Sequence, residues 1–152
     1  MHIAPVDPLS PAAQSLLAQS DAYMAALYPA ESNHLESAEA LKQAHVLFVG
    51  AHIDGALVGC GAVKTMDNDG TYGEIKRVFV LDAHRGKGLS KAIMQTLEAH
   101  LTTSGVRLAR LETGIHQPEA LGLYARLGYV AREPFGAYAP DPLSVFMEKQ
   151  LA

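Results

Sequence analysis

A chain of 152 residues, 49% of them hydrophobic and 18% charged, holds enough apolar material for one packed domain and leaves little for a second. The formal net charge of -4 excludes the strongly basic character of a typical nucleic-acid binder, and no apolar run approaches the roughly 20 residues needed to cross a bilayer. Cys60 is the only cysteine, which excludes an intramolecular disulfide and a cysteine metal cluster and makes a reducing cytoplasm the simplest home. The opening Met1–Asp7 has no basic start followed by an apolar stretch, so no signal peptide is expected. Neither a metal, a nucleic acid nor a membrane is an expected partner.

Residues 2–7 read as a short first strand. Ser10 followed by Pro11 marks a helix start, because serine caps free amides and proline suits the first turn. Leu16, Leu17, Met24 and Leu27 recur at helical spacing until Pro29 stops the pattern. A second short helix is expected over 36–43. His45–Ile53 and Ala56–Met66 are strand-like runs joined by Asp54-Gly55, a strong hairpin signal. Asp67–Gly70 turns the chain again into Thr71–Leu81. Strict alternation along that strand puts Ile75 and Val80 on opposite faces. Burying both against one core needs a β-bulge near Lys76 or Arg77, which would splay the sheet and expose backbone groups. A strand buried on both faces is the alternative.

Leu89, Ile93, Leu97 and Leu101 mark a helix from about 87 to 104, ended by Gly105. A strand at Arg107–Thr113, a helix at Pro118–Leu127 and strands at Gly128–Arg132 and Leu143–Lys149 complete the pattern. This order predicts a mixed α/β sheet in a single domain over 1–152 rather than a repeated βαβ winding. Cys60, set in an apolar strand, reads as a small buried residue more readily than as a nucleophile.

Positive charge gathers locally at Lys76, Arg77, Arg85, Lys87 and Lys91, either as an anion site or as a solvated face. Arg85-Gly86-Lys87-Gly88-Leu89-Ser90 lies between a strand and an amphipathic helix. A helix start has unpartnered N–H groups and a partial positive charge, and glycines let an anion come close to them. The residues fit neither the dinucleotide fingerprint, which would need glycine at Lys91, nor the P-loop, which would need a further glycine upstream. They point to an anion, most readily a phosphate, or else to a glycine-rich turn with a basic helix start.

At this point the sequence resembles the GNAT acetyltransferases. Arg85 and Gly88 take the first and fourth places of the signature [QR]-x-x-G-x-[GA], and Ser90 departs from it at the sixth. Glu74–Val80 looks like the family's bulged fourth strand. Ala120–Tyr129 resembles its A-x-x-L-Y-x-x-x-G-F segment, with Tyr129 in the last place. Tyr28–Ser32, Gly59–Lys64, Gly73–Lys76 and Pro142–Met147 further resemble a bacterial subgroup of small single-domain members. The fold implied is a mixed, mostly antiparallel sheet of six to seven strands, flanked by about four helices and splayed between strands four and five.

The implied chemistry is direct transfer of an acetyl group from acetyl-CoA to a primary amine of a small molecule. Val78, Phe79 and Val80 would bind the pantetheine and thioester through their backbone. Arg85, Gly86, Lys87, Gly88, Leu89, Ser90 and Lys91 would hold the pyrophosphate. Gln117 stands where the family often has asparagine near the cofactor. Tyr124 matches the frequent general acid. Glu74 is the first candidate for the base, then Glu112; His116 and a water relay remain alternatives. Tyr28, Glu31, His34 and Tyr138 are expected around the acceptor. Rival functions are a protein or peptide N-acetyltransferase and a non-catalytic acyl-CoA sensor. An open groove would suit a peptide, and a closed pocket near Tyr28 and Tyr138 a small molecule. Dimers are common in the family, so the resemblance also admits a homodimer.

Overall fold

The computed structural model describes residues 1–151. Strands β1 (His2–Pro5), β2 (Val46–Ile53), β3 (Ala56–Met66), β4 (Tyr72–Val80), β5 (Leu108–Gly114), β6 (Val130–Arg132) and β7 (Ser144–Gln150) form one sheet. Its order is β1-β2-β3-β4-β5-β7-β6, and only the β4–β5 pair is parallel. The helices are α1 (Pro11–Leu27), α2 (Ala38–Leu41), α3 (Leu89–Thr103) and α4 (Pro118–Arg126). The expected mixed α/β sheet with about four helices is the fold found. The opening strand ends at Pro5, although the Val6 N–H still reaches the Phe48 carbonyl at 3.1 Å. The second helix shrinks from the expected 36–43 to four residues, capped by Ser37.

The core has two parts, one on each face of the sheet. Ile93, Met94, Leu97 and Leu101 of α3 are fully buried against Val49, Val63, Ile75 and Leu111. On the other face Ala13, Leu16 and Leu17 of α1 and Leu41 of α2 cover Phe48, Cys60, Ala62 and Phe79. Cys60 is enclosed there; burial pushes its thiol up to about 12, which removes it as a nucleophile at neutral pH.

The bulge is real and falls at Arg77. Cys60 pairs with Phe79 but Ala62 pairs with Lys76, so β4 carries one residue more than β3 across the interval. Arg77 absorbs it with φ of +59°, a left-handed conformation costly for a side chain of that size. Its guanidinium is buried beneath α1, bonded to Asp21 Oδ1 at 2.6 Å and to the Leu17 carbonyl at 3.3 Å. The break in alternation lets Ile75 and Val80 join the same core while Phe79 joins the other. Pairing of β4 with β5 runs from Gly73 to Ile75 and stops, so the two strands separate beyond it.

Candidate active site

The gap between β4 and β5 opens on both faces of the molecule's edge into two cavities. The larger is a groove of about 570 Å³, bounded by Val78, Phe79 and Val80, the Arg85–Lys91 turn and the start of α4. Gly86 and Gly88 adopt φ of +77° and +79°, and a Cβ on either would meet nothing within 4 Å. The turn geometry, not crowding, therefore demands glycine. Gly88 precedes α3 without any side-chain cap, and the first amide of the helix ladder is Ala92, donating to the Gly88 carbonyl at 3.1 Å. The amides before it are left for an anion, which the helix start also favours electrostatically.

Arg85 does less for an anion than its charge suggests. Its Nε donates to the Val80 carbonyl at 3.0 Å, and its guanidinium lies 4.8 Å from the Tyr23 ring centroid. It braces the turn against the end of β4. Lys87 is exposed and outside the groove lining, whereas Lys91, His84 and Arg126 line it. The apparent basic cluster in the sequence is thus dispersed: Lys76 faces Glu36 and Glu74, and Arg77 faces Asp21.

The smaller cavity, about 80 Å³, lies on the α1 side of the gap and is lined by Tyr28, His34, Glu74, Lys76, Glu112 and Tyr138, among others. Two loops close over it. Ser32 Oγ donates to Asp141 Oδ2 at 2.7 Å, and the His34 and Tyr138 rings meet edge to face at 5.2 Å. Inside, Lys76 Nζ donates to Tyr138 Oη at 2.8 Å and to Glu74 Oε2 at 3.3 Å, and Tyr138 donates to the same Glu74 oxygen. Glu36 joins through Lys76 at 3.4 Å and Lys64 at 3.1 Å. Burial, then the Glu74 charge, pushes the Tyr138 phenol well above its ordinary range.

Glu112 stands apart from these pairs. Burial raises its carboxyl to about 7, the neighbouring Ser144 hydroxyl and Lys76 ammonium only partly opposing this. Tyr124 projects from α4 and borders both cavities, as Val78 and Gln117 do. Burial, then the Glu112 charge, lifts its phenol to about 12.

Residues 13–129 match the model of the Acetyltransferase (GNAT) family. The chain is 42% identical to an IAA acetyltransferase of Azospirillum brasilense, over 98% of this chain and 97% of that one. It is 36% identical to the N-acetyltransferase YsnE of Bacillus subtilis, over 84% and 85% of the two chains. A solved Klebsiella pneumoniae protein assigned as an acyl-CoA N-acyltransferase superposes with a TM-score of 0.83 at 36% identity, covering 99% and 97%. The chain belongs to the GNAT acetyltransferase family. It is an acyltransferase of the family's fold. The PaiA N-acetyltransferase of Thermoplasma acidophilum, solved in complex with coenzyme A, shares that fold with a TM-score of 0.73 at 20% identity, covering 99% of each chain.

Within this GNAT enzyme the structure brings together most of the expected site residues. Val78, Phe79, Val80, Arg85, Gly86, Gly88, Leu89, Ser90, Lys91, Gln117 and Tyr124 share the groove, and Tyr28, His34, Glu74, Glu112 and Tyr138 share the cavity. Glu31 is not with them: it is exposed in the short 3-10 turn Ala30–Ser32, whose buried residue is Ser32. His116, exposed and with its ring stacked on Tyr28 at 5.4 Å, lines the groove rather than the smaller cavity. Glu36 escaped the sequence reading, and Lys76 entered it only as part of a basic cluster, not as a partner of Glu36 in this cavity. No spacing rule pairs residues 40 positions apart that meet only once the loop folds back over the sheet.

Proposed function

We propose that this enzyme transfers an acetyl group from acetyl-CoA directly to the amine of a small molecule. The observation that carries the reading is the small cavity of about 80 Å³ meeting the larger groove at Val78, Gln117 and Tyr124. Ser32, His34 and Tyr138 line that cavity, and the Ser32–Asp141 bond and the His34–Tyr138 contact tie together the loops beside it, which favours a small acceptor over an extended peptide. The relative named for IAA supports a small acceptor over a protein.

The groove suits acetyl-CoA. The uncapped α3 start offers amides to the pyrophosphate, and the β4 edge beyond Ile75 has no β5 partner and is free for the pantetheine arm. When bound, acetyl-CoA supplies an acyl thioester to an unprotonated amine. Glu112 takes the proton that the amine sheds. A carboxyl near 7 suits that task, because the base is half ionised close to working pH yet strong enough to accept. Glu74 is the poorer base, since Lys76 and Tyr138 already occupy its oxygen.

Tyr124 keeps its phenolic proton at all working pH values, being raised to about 12. Complete transfer to a thiolate of ordinary pKa near 8.5 would be uphill by about 5 kcal/mol. Tyr124 therefore acts mainly by donating a hydrogen bond to the sulfur as charge builds there. Acetyl-CoA at about 100 times its Kd should raise Tm by roughly 5–10 °C, and a small primary amine should become heavier by one acetyl group. No Tm shift with either acetyl-CoA or CoA would end the reading of the groove.

A further inference from the structure

Tyr28 closes α1, and its ring is buried although the chain runs on from it into an exposed turn. Its hydroxyl sits against the loop that opens α4. The His116 N–H donates to Tyr28 Oη at 3.1 Å, and Tyr28 donates to Gln117 Oε1 at 3.1 Å. The phenol ring stacks on the His116 imidazole with an interplanar angle of 22°. Room for it comes from Gly114, where a Cβ would overlap the phenol.

This arrangement fixes more than a loop. A phenol carries one proton, and the His116 amide cannot receive it. In the structure that proton goes to the Gln117 Oε1, the accepting end of the carboxamide. The bond thus sets which way the Gln117 amide faces: its oxygen toward Tyr28, its NH₂ group away. Gln117 lines the groove and the acceptor cavity alike, at their junction. Glutamine has one more rotatable bond than asparagine, and immobilising it is an added entropic cost of any contact it makes. Tyr28 removes that freedom before a ligand arrives.

We propose that Tyr28 is a positioning residue that aims the Gln117 NH₂ group at a carbonyl oxygen of the acyl-pantetheine arm. The proposal rests on the groove being the acyl-CoA site. It moves Tyr28 from acceptor recognition to donor recognition, although its segment belongs to the acceptor side.

The test is calorimetric titration with acetyl-CoA, without any acceptor, of wild type, Tyr28→Phe, Gln117→Leu and the double variant. Phenylalanine keeps the ring and its stacking and loses only the hydroxyl. Each single variant should weaken Kd by about 3- to 10-fold, the effect of one hydrogen bond. The double variant should be no weaker than Gln117→Leu alone, because Tyr28 acts only through Gln117. A purely structural Tyr28 would give effects that multiply in the double variant, and that outcome overturns the proposal, as does an unchanged Kd in Tyr28→Phe. Wild type that fails to bind acetyl-CoA would overturn the reading of the groove itself, whereas wild-type binding with an indifferent Tyr28→Phe removes only the positioning role.

Discussion

The groove proposed for the donor and the cavity proposed for the acceptor meet at the same gap, yet they are built by opposite means. The groove is made chiefly of backbone: the β4 edge past the bulge, two left-handed glycines and the uncapped start of α3. The cavity is made of side chains from distant segments, held by a network of Glu36, Lys64, Glu74, Lys76 and Tyr138. A backbone site serves an invariant ligand such as a pyrophosphate arm. A side-chain site can be altered residue by residue without disturbing the fold, and it is where an acceptor preference is set.

Substitutions should separate the two regions. The largest effect belongs to Glu112→Gln, which removes the proposed base: kcat/KM should fall by about 100-fold or more, with Kd for acetyl-CoA unchanged. In the wild type, kcat/KM should drop as pH falls below about 7, as Glu112 takes up its proton, and this limb should vanish in the variant. Equal loss of acetyl-CoA binding would break the comparison, because Glu112 would then serve both sides.

Gly88→Ala should do the reverse. Forcing a side chain into φ of +79° costs roughly 1–2 kcal/mol, which relaxation of the turn would convert to about a tenfold weaker Kd for acetyl-CoA. Acceptor KM should hold. Tyr138→Phe removes the hydroxyl shared by Lys76 and Glu74, and should raise acceptor KM by about 3- to 10-fold with little change in acetyl-CoA binding.

The smallest effect is on stability. Glu112 is raised in the folded state from an unfolded value near 4.3, so its penalty is absent below about pH 4 and complete above about 7. Glu112→Gln should therefore raise Tm at pH 8, by about 3 °C or more, and leave it unchanged at pH 4. Equal Tm values at pH 8 would show that Glu112 pays no burial cost.

This contrast also explains what the sequence made legible. The hairpin at Asp54-Gly55, the Arg77 bulge and the Arg85–Ser90 turn follow from local rules: turn glycines, a broken alternation, a strand leading into a helix. The resemblance on the Tyr124 segment placed α4 on the gap. The acceptor side obeys no local rule. Glu31 was expected there for its charge, but a single exposed turn carries it outward, and Ser32 beside it faces Asp141 instead. Lys76, read as part of a basic cluster, is neutralised by Glu36 and Glu74 from separate segments. The pairing of Glu74 with Lys76 and Tyr138 is likewise invisible in the sequence, since it depends on where Tyr138 lands after a long loop.

The most direct measurement is a competition read by mass spectrometry. Enzyme and acetyl-CoA are given an equimolar mixture of small primary amines and lysine-containing peptides, and initial rates of acetyl incorporation are compared. A small acceptor cavity beside the groove predicts that small amines take nearly all of the label, and that Glu112→Gln cuts it by about 100-fold or more while acetyl-CoA still binds. Preferential labelling of the peptides would contradict the account.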